Sequence, residues 1–262
     1  MASTSAAFGL SGKVGVITGA TGAFGRAAAH SLADAGARLV IAGANAQALR
    51  ELEVQLNADG IRVKAKACRP DTEANARNLI DEAVAQFGAI DFVVVGSGTN
   101  DPAPIQDMTT EQWEHVMAAN VRGSWLVCKA FATHCIEMAQ RGRVVLLSST
   151  RGKLGLAAGY SAYCPSKAAI DGLTRTLACE LGRYGINVNA IAPTVFRSEL
   201  TAWMFADDDR GRAAREGMLA RIPLGRLGEP EDLVGALQFL LSRASEFCTG
   251  QTLYIDGGYT AG

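Results

Sequence analysis

Short runs that are apolar almost throughout alternate along the chain with longer amphipathic runs, and this alternation limits the fold more than any other feature. The stretches "KVGVITG", "ARLVIAG", "IRVKAKA", "IDFVVVG", "GRVVLLSS", "INVNAIAP" and "QTLYIDGG" read as strands. Between them, "FGRAAAHSLADAG", "NAQALRELEVQLNADG", "TEANARNLIDEAVAQFG", "TTEQWEHVMAANVRGSWLVCKAFATHCIEMAQ", "SAYCPSKAAIDGLTRTLACELGRYG" and "PEDLVGALQFLLS" read as helices. A strand without polar alternation belongs in a parallel sheet covered on both faces. Strand and helix in turn, joined by short links, give right-handed crossovers and hence an α/β fold with a doubly wound parallel sheet. No Pro/Ser-rich linker or internal repeat divides the chain, so residues 1–262 read as one domain. The segment from Pro193 to about Pro230 lacks a strand and breaks the pattern. It reads as a helical excursion over a site, covering about 194–230.

The 262 residues are enough to bury a sizeable core in a single domain. A net charge of -1 without any Lys/Arg cluster argues against a nucleic-acid partner. Cys68, Cys128, Cys135, Cys164, Cys179 and Cys248 form no CxxC pair, and such a core-rich chain has little need of disulfides, so reduced cytosolic thiols are expected. Cys164 has the position of a nucleophile, but no histidine is near it in sequence. His30, His115 and His134 form no ligand cluster, so no metal is expected. The opening "MASTSAAFGLSGK" has neither the basic start nor the apolar run of a signal peptide, and no stretch reaches the ~18 apolar residues of a membrane span. A cytoplasmic protein is expected.

Two short motifs carry chemistry. In "YCPSK", Tyr163 and Lys167 stand four apart where an apolar helix begins, so phenol and ammonium share one helix face. A neighbouring ammonium favours the phenolate and lowers the pKa of the phenol, which makes a tuned proton donor and acceptor. The bland alternative is a surface pair at a helix start. In "TGATGAFG", Thr18 to Gly25, glycines follow the first strand and open the first helix. They permit a tight turn and a close approach to a pyrophosphate, and the helix N-terminus adds amide donors and a favourable dipole.

Taken together, the strand–glycine loop–helix, the YxxxK past the middle and the chain length resemble the short-chain dehydrogenase/reductase family, in its compact branch. The likeness runs from "LSGKVGVITGA" to "TGQTLYIDGG", with "MAANVRG", "VVLLSS", "NVNAIAP", "RLGEPEDL" and "IDGGYT" matching in order. It implies a Rossmann-type sheet and NAD(P)(H) as cofactor. It further implies Tyr163 as general acid/base, Lys167 as the group that lowers its pKa and holds the nicotinamide ribose, Ser149 as the hydrogen-bond donor to the substrate oxygen, and Asn120 as the anchor of a proton-relay water. Ser148 and Thr150 are the neighbouring hydroxyls. Gly19, Thr21, Gly22, Phe24, Gly25, Gly98, Pro193, Val195 and Ser198 fall where the family binds its dinucleotide. The implied reaction moves a hydride between nicotinamide and a carbinol or carbonyl carbon of a small alcohol or ketone. The alternatives are a catalytically silent dinucleotide-binding regulator or scaffold, and other chemistry such as epimerisation or dehydration.

The chain departs from the family in places. Ala23 replaces the middle glycine of TGxxxGxG, so the loop reads equally as TGxxGxxG. The NNAG segment is Val95-Gly96-Ser97-Gly98, which predicts a surviving glycine turn without its stabilising side chains. Thr194 replaces the glycine after Pro193. At the adenosine end, Gly43-Ala44-Asn45 offers neither the Asp of an NAD site nor the Arg of an NADP site. Arg69 stands where an aspartate is expected after the third strand. With no carboxylate evident there, the reading leans to NADP through Arg69. The alternative is Asn45 holding the ribose of NAD.

Arg151 and Arg197 are the candidates for a polar substrate, since guanidinium recognises hydroxyls and planar acids; a polyol, sugar or hydroxy acid fits. The alternative turns both outward into surface ion pairs. Trp203, with Met204 and Phe205, offers an apolar lid for a greasier alcohol. The helices around "WEHVMAANVRGSWLVCKAFATHCI" and "KAAIDGLTRTLACEL" are apolar over more than one face, which predicts a homotetramer or homodimer.

Overall fold

Seven strands form one parallel sheet in the order β3-β2-β1-β4-β5-β6-β7. They are β1 Val14–Thr18, β2 Arg38–Gly43, β3 Val63–Ala67, β4 Phe92–Val95, β5 Gly142–Leu147, β6 Ile186–Pro193 and β7 Thr252–Ile255. The structure, a computed structural model, describes residues 7–58, 60 and 62–262. The first six residues, on which part of the leader reading rests, lie outside the described residues, as do Asp59 and Ile61 beside β3. Strand order reverses between β1 and β4, and a crevice for a ligand opens beyond the carboxyl ends of strands at such a switch point.

Side chains of neighbouring strand residues enter opposite cores, as the pleat requires. Val16, Val93 and Val144 meet α3 (Glu73–Phe87), α5 (Gly123–Glu137) and α6 (Tyr163–Leu181) through Leu79, Phe131 and Ile170. Ile17, Val94 and Val145 meet α1 (Ala23–Asp34), α2 (Ala46–Ala58) and α8 (Val234–Leu241) through Leu32, Leu52 and Leu237. All residues of β1 and β4 are buried, which is why these strands carry no polar alternation. Local signals set the helix ends. Thr72 Oγ1 accepts from Asn75 N at 3.1 Å to start α3, and Gly88 ends it in the left-handed region with φ 79°.

The run from Thr110 is not one continuous helix. It breaks into α4 (Thr110–Met117), a π-turn over Ala118–Arg122, and α5. Asn120 sits in the π-turn, its side chain bonded to both backbone groups of Thr99 and its carbonyl accepting from Ser124 Oγ at 2.7 Å. Side-chain bonds thus replace part of the regular ladder. The strandless segment after β6 is helical, with a 3-10 turn over Glu199–Phe205 and α7 over Asp209–Leu219. Arg215 Nη1 ties the two by donating to the carbonyls of Met204 (2.6 Å) and Ala206 (2.9 Å). Trp113, Trp125, Ile136 and Met138 stand exposed on and just beyond α4 and α5. Among the described residues, no helix is long and apolar enough to cross a membrane.

Candidate active site

The glycine loop follows β1 and opens α1. Gly19 has φ +68°, and a Cβ there would lie 2.7 Å from the backbone of Gly96 and Ser97. A Cβ on Gly25 would lie 2.2 Å from Gly19 O, so β1 and α1 can approach only with glycine at both places. Gly22 is the N-cap of α1, and no side chain caps it. Ala23 begins the helix, so the displaced glycine leaves the turn intact. The open amides of α1, with no side chain in their way, fit a pyrophosphate. Phe24 packs against Gly96 across the loop.

The altered NNAG segment does keep a side-chain brace. Ser97 Oγ lies 3.1 Å from Thr18 Oγ1 and Ser97 N donates to that same hydroxyl at 3.4 Å, linking the ends of β1 and β4. The sequence reading of a turn without supporting side chains is corrected on this point. Gly98 lies between Asn120 and Lys167: a Cβ there would be 3.0 Å from Asn120 Oδ1 and 3.7 Å from Lys167 Nζ.

At the adenosine end, Asn45 Oδ1 accepts from Ala48 N at 3.0 Å and caps α2. Its amide donors remain for a ligand. Arg69 is exposed just past β3, whose last residue Ala67 pairs with Gly43 of β2, so it lies at the end of β2 as expected. Asp71 is two residues further on, its Oδ1 accepting from Asn75 Nδ2 at 2.8 Å. The segment is thus not free of carboxylate, although Asp71 is engaged.

Tyr163 begins α6, and the start of this helix aims it across the end of β5 at Ser149. Of the three hydroxyls, Ser149 is the one against the phenol. Ser148 Oγ turns to the Lys167 carbonyl at 3.3 Å, and Thr150 is enclosed in a 3-10 turn. Ser149 Oγ also accepts from Arg151 N at 3.1 Å and donates to Pro193 O at 3.4 Å. Tyr160 meets the Tyr163 ring edge-on at 5.7 Å. Lys167 is buried, its Nζ donating to Leu147 O at 2.8 Å and lying 5.7 Å from the centre of the phenol ring. The buried Ser166 joins the parts: it accepts from Asn120 Nδ2 at 2.9 Å and donates to Tyr163 O at 2.7 Å. The four implied catalytic residues therefore converge at the carboxyl ends of β4 and β5.

The electrostatics differ from the sequence expectation. Burial pushes the Tyr163 phenol up to about 12, against the neighbouring Ser149 hydroxyl and the charge of Arg151, which lower it. Lysine is not the group that offsets the burial. Burial moves Lys167 itself down to about 8, with Asp171 opposing. The ammonium lies 5.7 Å from the ring centre and bonds the Leu147 carbonyl. Burial likewise raises the Cys164 thiol, which reduces its thiolate fraction.

Arg151 is 8% exposed, with Nη1 donating to Gly155 O at 3.2 Å and Nη2 to Tyr259 Oη at 2.9 Å. Arg197 is not brought to it. Its guanidinium lies over Phe205 at 4.1 Å, and its Nε is 3.5 Å from Glu229 on the surface. Trp203 is exposed under Arg210, whereas Met204 alone of its neighbours turns inward. Ser198 Oγ lies 3.0 Å from Thr201 Oγ1, and Val195 O accepts from Gly228 N. Thr194, where glycine was expected, has a buried Oγ1 without a hydrogen-bond partner among the described residues. It lines a cavity of about 150 Å³ with Phe196, Arg226, Asp232 and Asp256. A buried orphan hydroxyl past β6 calls for a polar ligand group, and with the open amides of α1 it makes the crevice fit a dinucleotide. A second hollow of about 350 Å³ opens beside Tyr160 and Cys164, lined by Pro104, Ile105 and Leu156. Tyr259 and Ser166 were missed in the sequence; only "IDGGYT" as a closing motif pointed near the first.

Residues 19–260 match the family model described as Enoyl-(Acyl carrier protein) reductase. An uncharacterized oxidoreductase of Mycobacterium tuberculosis is 58% identical over 257 residues, 98% of this chain and 94% of that one. The D-threitol dehydrogenase of Mycolicibacterium smegmatis is 35% identical, over 97% of this chain and 95% of that one. A crystal structure of a gluconate 5-dehydrogenase from Burkholderia cenocepacia, in complex with NADP and tartrate, superposes with a TM-score of 0.91 at 32% identity, covering 98% of each chain. The chain belongs to the short-chain dehydrogenase/reductase family. It is an NAD(P)-dependent oxidoreductase acting on CH–OH groups, with a nicotinamide dinucleotide as cofactor.

Proposed function

We propose that the chain interconverts a secondary alcohol and its ketone on a small molecule carrying several hydroxyls, with Tyr163 as the general acid/base. The observation that carries this reading is the Ser149 hydroxyl set against the Tyr163 phenol, with Lys167 Nζ 5.7 Å from the ring and Asn120 tied in through Ser166. The nicotinamide supplies or accepts the hydride when bound. Ser149 donates to the substrate oxygen and fixes it beside the phenol. Tyr163 gives that oxygen a proton in reduction and takes it back in oxidation. Lys167 holds the ribose beside the site, and Asn120 keeps the loop at Gly98 in place and anchors a water for proton exchange. Gly19, Thr21, Gly22, Phe24 and Gly25 cradle the pyrophosphate, and Pro193, Val195 and Ser198 carry the backbone that borders the nicotinamide. Residues 194–230 cover the substrate. The threitol and gluconate dehydrogenases are named for polyhydroxy substrates, and Arg151 beside Tyr163 supports the same class here.

NADP is the preferred cofactor in this reading. Arg69 and the amide of Asn45 present donors at the end of β2, and no acidic residue closes that strand. The protein works in the cytoplasm as a homodimer or homotetramer. A panel of polyols, sugars and hydroxy acids, tested with NAD and with NADP by absorbance of the reduced nicotinamide, examines the reading. Turnover is expected on a polyhydroxy alcohol and is lost in Tyr163→Phe. An undiminished rate in that variant removes Tyr163 from its role. In the same assay Arg69→Ala should weaken NADP roughly ten-fold and spare NAD, because a charged hydrogen bond contributes ~1.5–3 kcal/mol. Equal effects on both cofactors reject the contact.

A further inference from the structure

Tyr259, past β7, is enclosed by the protein, and its ring carries two guanidiniums. That of Arg151 lies 5.4 Å from the ring centre and that of Arg221, at the end of the covering segment, 4.4 Å. Neither arginine has a carboxylate within salt-bridge distance among the described residues. For Arg221, which is exposed, water compensates. For Arg151 it does so poorly, because only 8% of the residue is accessible. A guanidinium offers five donors, and Arg151 spends two, on Gly155 O and Tyr259 Oη. The nearby acids are engaged elsewhere. Asp256 accepts from Gly258 N, Thr260 N and Thr260 Oγ1, Asp171 accepts from Thr252 Oγ1, and neither is within salt-bridge distance of Arg151. A buried cation without a counter-charge is costly, and a second cation on the same ring adds to the cost. An anion placed there removes both penalties. The site is also close to the chemistry, since Arg151 N donates to Ser149 Oγ at 3.1 Å.

We propose that Arg151, anchored by Tyr259 and joined by Arg221, is a carboxylate subsite, so that the substrate is a hydroxy acid in preference to a neutral polyol. The proposal rests on the reading of Tyr163 as the reacting centre and adds the substrate's second handle. Arg221 takes the place expected of Arg197. The planar fork of Arg151 suits a carboxylate by paired hydrogen bonds, and Tyr259 positions that fork without touching the substrate.

Titration calorimetry tests this on protein saturated with oxidised cofactor, NADP and NAD in parallel. The probes are matched acids and polyols: D-gluconate with D-glucitol, and D-threonate with D-threitol. The wild type should bind at least one acid roughly ten-fold tighter than its polyol, and the ratio should fall to about one in Arg151→Met. Arg151→Lys should keep part of it, since charge remains while the fork is lost. Tyr259→Phe should lower it by removing the anchor of Nη2. No acid bound tighter than its polyol in the wild type, or an unchanged ratio in Arg151→Met, overturns the proposal. Should circular dichroism show Arg151→Met unfolded, the exposed Arg221→Met decides: the ratio must drop by about three-fold or more, and an unchanged ratio overturns the subsite. Loss of hydride transfer in Tyr163→Phe tests the enzyme reading separately. A chain that turns over polyols without favouring acids loses the subsite and keeps the dehydrogenase.

Discussion

At the scale of single residues, the site stores an unfavourable charge. Lys167 is buried, and below about pH 8 its ammonium stays protonated there, although burial favours the neutral amine. In the unfolded chain the lysine returns to 10.5. Between about 8 and 10.5 the unfolded chain therefore binds a proton that the folded one has released, and stability rises with pH across that window. Tyr163 acts in the opposite sense above 10, because its phenol is held up to about 12 and the unfolded chain ionises first. Lys167→Met should consequently raise the melting temperature of the cofactor-free protein at pH 7, and the gain should shrink from pH 8 upward. Turnover should be lost in the same variant, a trade of stability against function. Melting curves at pH 7, 8, 9 and 10 check this. A lower melting temperature at every pH would show that the bond to Leu147 outweighs the charge. The phenol gives a second expectation. In the proposed role of Tyr163 as general acid/base, oxidation needs the phenol ionised and reduction needs it protonated, so oxidation should speed up with rising pH while reduction slows. Tyr163→Phe should cost ~10²–10⁴-fold or more in both directions and leave cofactor affinity nearly intact, measured by turnover and by cofactor titration.

At the scale of elements, the glycine loop separates into two kinds of glycine. A Cβ on Gly25 would meet Gly19 O at 2.2 Å and Ala20 Cα at 2.6 Å, both backbone, whereas one on Gly22 meets Gly19 O at 3.5 Å, an ordinary contact. Gly25→Ala should destabilise the fold by ~1–3 kcal/mol, as overpacking does, and weaken the dinucleotide with it. Gly22→Ala should stay within ~0.5 kcal/mol of the parent in urea unfolding, because its backbone is at ordinary φ. Equal losses in the two would mean that the loop yields as one unit. The seven strands and the main helices were legible in the sequence because each carries its own apolar period. The break at Asn120 was not: "AANVR" continues a helical pattern, and the bonds that open it come from Thr99, 21 residues earlier. The Ser97 brace hid for a similar reason, since its partner Thr18 is 79 residues away. Arg151 could be singled out beside Ser149, yet its link to Tyr259 spans 108 residues and follows only from β7 lying at the sheet edge beyond β6. Arg197 misled because adjacency to Pro193 says nothing of which way a side chain turns on a surface segment.

At the scale of the whole molecule, the sheet uses up one face of each helix and leaves the outer face of α4 and α5 to water. Trp113, Trp125, Ile136 and Met138 are exposed there, whereas the outward positions of α6 are small or polar: Ala168, Arg175, Thr176, Cys179 and Glu180. The expectation of two helices apolar all round thus divides into a greasy one and a lean one. Lys129 lies over the Trp125 ring at 5.2 Å, which shields part of the indole without burying it. A second copy meeting this face by two-fold symmetry would bury each tryptophan twice over, once per subunit, and fully burying a large apolar side chain is worth ~1.5–3 kcal/mol. The lean face of α6, next to α5, lets backbones approach closely, which enlarges the contact toward the ~800 Å² per partner of a stable pair. The wild type should therefore scatter light as a dimer or tetramer at micromolar concentration. Trp125→Glu, which puts two carboxylates against each other across the axis, should shift it to the monomer with the far-UV spectrum unchanged. A monomer in the wild type, or an unaltered mass in Trp125→Glu, would show that this face remains in water.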